Sequence, residues 1–215
     1  MLNKIDQIKK QIIIQAGTVE SMLENFIENL KDKDKEKLKE IFILENKVNA
    51  YEIAIEEDAI AMIALNQPEG KNLRTVVMIL KMNNDLERIG DLITDISNFY
   101  IVYLESNNFI NIETPILMAK KSQEMLRESI ESFKKEDCEL ARNVCKKDDI
   151  VDDLHAELRN EIIKYIKTNP EEIRMMFDFY DIIFKIERIA DLATNIAEEA
   201  IYLSEGKDIK HGQFD

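Results

Sequence analysis

The sequence predicts an all-α protein built from two tandem three-helix bundles that are related by an internal repeat. Only five Gly and three Pro interrupt its 215 residues, and Ile, Leu, Glu and Lys are abundant, which favours helix throughout. All three prolines fall at boundaries of helical patterns. An acidic motif, an acid followed four positions later by another acid, occurs at Glu87 and Asp91 and recurs one hundred positions later at Glu187 and Asp191.

The first repeat is predicted to span residues 1–106. Apolar residues at helical spacing predict a first helix over residues 1–30, which a charged turn of alternating Lys and Asp ends. A second helix is predicted over 36–65 and stops at Asn66-Gln67-Pro68. A third, over 71–105, carries the first acidic motif.

The second repeat is predicted to span residues 115–205. Residues 107–114 are rich in Asn and precede Pro115, so they predict a linker. Helices are then predicted over 116–133, 138–167 and 171–203, and Pro170 lies in the turn between the last two. Gly206 predicts the end of the final helix, and residues 206–215 a loose tail.

Each acidic motif is predicted to lie beside acidic residues of the preceding helix. In an antiparallel hairpin about Pro68, Glu45 and Asp91 are both 23 residues from the proline and so stand at one height. Asp148 and Asp152 precede Pro170 by similar intervals and match Asp191 and Glu187. Asp95 extends the first motif by one turn on the same face, and this acidic face is predicted to point away from the core.

Such clusters predict cation binding. Several carboxylates at one height repel one another unless a cation neutralises them. All-oxygen ligation favours hard ions or iron over a closed zinc site. A solvated acidic face without metal is the alternative interpretation of either motif taken alone.

The amino-acid composition, through its net charge, apolar runs and cysteines, argues against several classes of function. The net charge of −14 predicts repulsion of phosphate backbones, so nucleic-acid binding is not expected. The apolar runs are too short to span a bilayer, and the chain opens without a secretory pattern. Cys138 and Cys145 lie two helical turns apart, too far for a mutual disulfide, so we expect reduced thiols and a cytoplasmic protein.

Two strings resemble the PhoU family of phosphate-signalling accessory proteins: NDLERIGDLITDISN, from Asn84, and KIERIADLATNIAEEAIYLSEGKDIKH, from Lys185. The resemblance implies two three-helix bundles, each with a metal site, iron or zinc being the main candidates and other divalent cations remaining open. The implied ligands are Glu45, Glu87 and Asp91, with Asp95 next to them, and Asp148, Asp152, Glu187 and Asp191. Asn49 departs from the family motif, which has an acid there, and so predicts weaker binding in the first unit.

The resemblance further implies a regulator without enzymatic activity, which restrains phosphate uptake and phosphate-starvation signalling. Its implied partners are the ATPase of a phosphate ABC transporter and a membrane-bound sensor histidine kinase, so the membrane is met only through partners, and a homodimer is left open. One alternative is an accessory protein of an inorganic phosphate permease. Another, less favoured, is a di-iron carboxylate enzyme, since such sites need two Glu-x-x-His motifs and the chain has two His in all.

Overall fold

The computed structural model of the chain describes residues 2–32, 34–105 and 112–206. Within these ranges it contains six α-helices, a short 3₁₀ helix at Pro170–Glu172 and no strand, so the all-α class is confirmed. The α-helices are α1 Leu2–Asp32, α2 Lys35–Asn66, α3 Gly70–Glu105, α4 Glu113–Lys135, α5 Cys138–Thr168 and α6 Ile173–Glu205. No helix in these ranges is long and apolar enough to cross a membrane.

The middle helix of each unit begins with the same cap. The Asp34 carboxylate accepts hydrogen bonds from the backbone N–H groups of Glu36 and Lys37, at 3.0 and 3.4 Å. Asp137, 103 positions later, accepts from Glu139 and Leu140 at 3.1 and 3.0 Å. Each cap satisfies donors that the first turn leaves unpaired and contributes about 1 kcal/mol to helix stability. The repeat therefore includes the helix starts as well as the acidic motifs.

The helices pack as two units in contact. In the first unit α1, α2 and α3 contact one another, and in the second α4, α5 and α6 do the same. The units meet where α1 packs on α4 and α3 packs on α6, whereas α2 and α5 each contact helices of their own unit only, as far as the described residues go. Two tandem three-helix units are thus confirmed, with α2 and α5 on the outside.

The buried side chains form one apolar cluster that continues across the junction of the units. Ile89 on α3 and Ile189 on α6, at equivalent positions, are both fully buried. Two hydroxyl groups in this interior donate to backbone carbonyls, and the first is that of Tyr100, which donates to the Leu30 carbonyl at 2.9 Å. The Ser122 hydroxyl donates to the Ile186 carbonyl at 3.2 Å. Such bonds avoid the cost of an unpaired buried polar group.

Helix bounds differ from the expected ones mainly around proline. Helix α4 begins at Glu113, so Pro115 is its third residue and the end of the expected linker is helical. Residues 106–111, which include most of that linker, and residues 207–215 of the expected tail lie outside the described ranges. Pro170 opens a 3₁₀ turn before α6, because its fixed φ and missing N–H suit a first helical turn. Gly206 ends α6 with φ 69°, as expected.

The two cysteines are free thiols, as expected. Cys145 is buried, and this burial, with Glu198 nearby, raises the pKa of its thiol to about 12. A thiol with that pKa is protonated and unreactive at neutral pH.

Candidate metal sites

The hairpins α2–α3 and α5–α6 carry the two acidic clusters. Each hairpin reverses at a proline turn; in the first, Gln67 ends α2 in the left-handed region at φ 45° and Gly70 opens α3 at φ 55°. Antiparallel helices of fixed rise then bring residues equally far from the turn to one height. The first cluster consists of Glu45, Glu52, Glu87, Asp91 and Asp95, and the second of Asp148, Asp152, Glu187 and Asp191.

The first cluster is shallow. Glu45 and Glu87 are half-buried, whereas Asp91 and Asp95 are exposed. Burial and the charge of Asp91 raise the pKa of Glu45. The pKa of Glu87 is also raised, by burial first and then by Asp91 and Glu52. Acids of α2 and α3 therefore raise one another's pKa values across the hairpin.

Asp95 and Asn49 of the first hairpin have different surroundings. Lys185 on α6 lies 3.7 Å from the Asp95 carboxylate, so Asp95 has a cationic neighbour from the second unit. Asn49 on α2 is half-buried, and its side-chain oxygen is enclosed without a hydrogen-bond partner. An amide oxygen can ligate a cation but brings no charge to it.

The second cluster is deeper. Asp148, Glu187 and Asp191 are half-buried, while Asp152 is exposed. Burial, followed by the charges of Asp191 and Asp152, raises the pKa of Asp148 to about 6. The same causes raise the pKa of Glu187 to about 7. The four carboxylates therefore act on one another, and part of the group holds protons near neutral pH when no cation is bound.

One arginine offsets part of that repulsion. The Arg188 guanidinium donates to the Asp191 carboxylate at 2.7 Å. Burial still leaves the pKa of Asp191 raised, with Arg188 as the largest opposing influence. One oxygen of Asp148 and one of Glu187 remain enclosed without a hydrogen-bond partner.

His155 on α5 borders the second cluster. It is half-buried, its ring stacks on Tyr180 with centroids 5.6 Å apart, and its Nε2 is enclosed without a hydrogen-bond partner. Burial, with Arg159 as the next cause, lowers the pKa of its imidazole. The i, i+4 pair Tyr180 and Phe184, facing an α5 residue at the same height, is the sequence signal that predicts such stacking.

The predicted outward acidic face is thus partly wrong. Three of the eight predicted ligands are exposed, Asp91, Asp95 and Asp152, and the other five are half-buried in the grooves between paired helices. The acids face solvent on one side and the neighbouring helix on the other. Helical periodicity gives the direction of a side chain but does not show how closely the next helix covers it.

The donor set of the second cluster fits a cation, although its present spacing does not complete a site. Enclosed carboxylate oxygens without partners, beside carboxylates that repel them, are groups that a cation would satisfy. Within the described ranges, however, no three His, Cys, Asp or Glu side chains lie together in a geometry that could hold an ion. Binding would need side-chain rotations that bring these oxygens inward.

The amino-acid sequence matches a family model described as PhoU domain twice, over residues 12–99 and 116–200, one match in each unit. A PhoU homolog of Aquifex aeolicus (strain VF5), named a phosphate-specific transport system accessory protein, is 35% identical over 98% of this chain and 96% of its own length. PhoU homolog 2 of Thermotoga maritima, with the same descriptive name, is 30% identical over 96% of this chain and 88% of its own length.

Solved structures agree with the sequence matches. The crystal structure of PhoU from Pseudomonas aeruginosa has a TM-score of 0.91 at 26% identity, covering 95% of this chain and 99% of that one. A phosphate transport system regulatory protein PhoU from Streptococcus pneumoniae has a TM-score of 0.87 at 27% identity, covering 96% and 97%. The resemblance predicted from the two acidic strings is confirmed.

Proposed function

This chain belongs to the PhoU family, and from that premise we propose that it is a cytoplasmic negative regulator of phosphate uptake and of phosphate-starvation signalling. The observation that carries the proposal is similarity over nearly the whole chain to proteins named as accessory to a phosphate-specific transport system. Because the similarity spans both units, the proposal concerns the entire molecule.

The proposed action is protein–protein contact. The partners are the ATPase of a phosphate ABC transporter and a sensor histidine kinase, and self-association into a homodimer is a third contact to be tested. The exposed acids Asp91 and Asp152, one in each hairpin, can be reached by a partner with basic groups. Complementary charge of this kind speeds association and selects the partner.

Metal binding is proposed as the way in which these acidic faces are controlled. In the first unit the ligands would be Glu45, Glu87 and Asp91, with Asp95 released from Lys185 as a further donor. In the second they would be Asp148, Asp152, Glu187 and Asp191. A bound ion, iron or zinc in the first place, would neutralise the clustered charge and tie the two helices of a hairpin together.

The chain's own residues set the conditions for that binding. Arg188 holds Asp191 at 2.7 Å and fixes the direction of its carboxylate before an ion arrives. Asp148 and Glu187, whose pKa values are raised to about 6 and about 7, must lose their protons to become ligands. Acid pH should therefore oppose loading of the second unit.

The test is a gene deletion with complementation. We expect the deletion strain to express phosphate-starvation genes, and to take up phosphate without restraint, in phosphate-rich medium; the intact gene should restore repression. Co-purification of the transporter ATPase or of the kinase would identify the point of contact. Normal repression in the deletion strain, with neither partner bound, would contradict the proposal, and oxidase activity of the iron-loaded protein would favour the enzyme alternative.

A further inference from the structure

A histidine projects from the same face of α5 as the second acidic cluster. His155 follows Asp152 by three positions, and residues three apart on a helix are neighbours on its surface. His155 precedes Pro170 by 15 residues and Asp152 precedes it by 18 (170 − 155 and 170 − 152), while Glu187 on α6 follows the proline by 17 (187 − 170). At about 1.5 Å per residue, these three side chains start within one helical turn of each other in height.

The imidazole of His155 lies between α5 and α6 with one nitrogen unsatisfied. Its ring stacks on that of Tyr180, with centroids 5.6 Å apart and planes 27° apart. Its Nε2 is enclosed and has no hydrogen-bond partner among the described residues. Burial is the main influence that lowers the pKa of the ring, and the charges of Asp152 and Asp191 act against that change. An enclosed nitrogen without a partner costs free energy, which a bound cation would recover.

Unsatisfied oxygens accompany this nitrogen in the same cluster. One carboxylate oxygen of Asp148 and one of Glu187 are also enclosed, and neither has a hydrogen-bond partner among the described residues. Carboxylates alone would favour almost any divalent cation, and most of all Mg(II) or Ca(II), which prefer oxygen ligands. An imidazole nitrogen suits Zn(II), Fe(II) and Co(II) instead. The histidine therefore adds a preference among cations that an acidic cluster by itself does not have.

The equivalent position of the first unit carries an acid. Glu52 on α2 lies 103 positions before His155 (155 − 52), the interval that also separates the two aspartate caps at the starts of α2 and α5. Burial and Asp91 raise the pKa of Glu87, and the charge of Glu52 raises it further. The first cluster thus offers oxygen donors at every position of the repeat, whereas the second offers oxygen and nitrogen.

We propose that His155 is a nitrogen ligand of the second cluster and makes that cluster favour Zn(II) and Fe(II) over Mg(II) and Ca(II) more strongly than the first cluster does. The nitrogen would act together with the enclosed oxygens of Asp148 and Glu187. Within the described ranges these groups do not yet stand in a ligating geometry, so rotation of the side chains is part of the proposal. The proposal rests on the metal binding of the proposed function and adds the class of cation that each unit takes.

The first test removes the nitrogen and keeps a ring. His155→Phe can still stack on Tyr180, and Glu87→Gln with Asp91→Asn in the same chain silences the first unit. Zn(II) affinity, measured by competition with a chromophoric chelator, should fall about tenfold, equivalent to about 1.4 kcal/mol. Mg(II) affinity, measured by calorimetry, should change less than about twofold, because Mg(II) prefers oxygen. Equal losses for the two cations, as a packing role predicts, or an unchanged Zn(II) affinity would overturn the proposal.

Co(II) can identify the ligand directly. The ring N–H of an imidazole bound to Co(II) gives a strongly shifted proton NMR signal that disappears in D₂O. The Co(II)-loaded protein should show this signal, and His155→Gln should abolish it. His211→Gln is the matched control, since these are the two histidines of the chain, and it should leave the signal unchanged. Absence of the signal, or its loss in His211→Gln alone, would overturn the proposal. Circular dichroism of each variant checks that it remains folded.

The converse test moves the preference to the first unit. Asn49→Asp with Glu52→His gives that unit the residues of the second at the two equivalent positions, and Glu187→Gln with Asp191→Asn silences the second unit. The ratio of Zn(II) to Mg(II) affinity should then rise about tenfold over that of Asn49→Asp alone in the same background. An unchanged ratio would show that this position does not select the cation.

Failure of this proposal differs from failure of the proposed function. If Zn(II) binds the second unit equally well with and without the imidazole, His155 is not a ligand and metal binding stands. If the intact protein binds none of these cations, metal control of the acidic faces fails together with this proposal. The gene deletion tests the regulatory role independently of either result.

Discussion

The acidic cluster of the first unit and that of the second occupy matching positions of the repeat but differ in depth and composition. Glu87 and Glu187 correspond, yet only Glu187 belongs to a group in which two carboxyls have pKa values raised to about 6 and about 7. The first cluster has Asn49 and Glu52 where the second has Asp152 and His155. Duplication thus preserved the backbone register while the side chains around each site diverged.

This difference has a physical consequence for each unit. The second cluster keeps Asp148, Glu187 and Asp191 half-buried, so charge there is costly and a cation or a proton is favoured. The first keeps Asp91 and Asp95 in solvent, and Lys185 lies beside Asp95, so its charge is better tolerated without metal. We infer that metal occupancy of the second unit depends more steeply on metal concentration and on pH than metal occupancy of the first.

The largest expected effect is on metal affinity. Glu187→Gln with Asp191→Asn should weaken Zn(II) or Fe(II) binding in the second unit about a hundredfold, equal to about 2.8 kcal/mol, because two charged ligands are lost. The matched pair Glu87→Gln with Asp91→Asn should reduce the weaker binding of the first unit alone. Calorimetry and elemental analysis measure both; unchanged metal content after all four substitutions would show that the ligand assignment is wrong.

A pH effect on the metal-free protein should come next. Asp148 and Glu187 have ordinary pKa values of 3.8 and 4.5 when unfolded and raised values in the folded chain. The folded state therefore binds more protons between about pH 4 and pH 7 and loses stability as pH rises through that window. In chelator, Tm should fall by several degrees from pH 5.5 to pH 8, since each kcal/mol is worth about 2–4 °C.

Glu187→Gln should flatten this pH profile, and Glu87→Gln should leave most of it, because the second cluster is the deeper one. The lowered pKa of His155 opposes this trend below pH 6.5, but it is present in both variants, and carboxyls with a lowered pKa act only at lower pH. Glu136, whose pKa falls chiefly through a hydrogen bond from Lys71, gives the opposite slope only below its ordinary value of 4.5. A profile that is the same in both variants would contradict the difference in depth.

Asn49→Asp should make the first cluster more like the second. A carboxylate at this half-buried position adds a charged ligand, so metal binding in the first unit should tighten about tenfold, or about 1.4 kcal/mol. The same charge should lower the stability of the metal-free protein, because it adds to the repulsion around Glu45 and Asp91. Asp152→Asn is the reciprocal control and should weaken the second unit; no change in either would remove Asn49 as the cause of the asymmetry.

The smallest expected effect concerns backbone stability at the motif. Gly90 stands where the second unit has the buried Ala190, and a methyl group at Gly90 would meet Val48 at 3.4 Å and Met22 at 3.8 Å, ordinary packing distances. Gly90→Ala should therefore stabilise α3 by about 0.5–1 kcal/mol. Chemical denaturation measures the change, and a loss of stability would show that Val48 cannot yield. Ala190→Gly should give the opposite sign.

The sequence alone determined the helices, the repeat and the register of the two hairpins. Helix periodicity, the Asp caps and the proline turns are local properties, and a constant rise per residue converts distance from a turn into height. Distance from the turn therefore suffices to match Glu45 with Asp91, and Asp148 with Asp191. The assignment of residues to two domains and the metal ligands remain predictions.

Tertiary structure alone decided how deep each cluster lies and what borders it. Burial of Glu187, the approach of Lys185 to Asp95, the stacking of His155 on Tyr180 and the exposure of Phe177 all depend on how helices from different parts of the chain pack. Periodicity gives the direction of each side chain, but solvent exclusion and long-range electrostatics arise only when two surfaces meet. Identical spacing of the acids therefore could not reveal that the two units hold them in unlike surroundings.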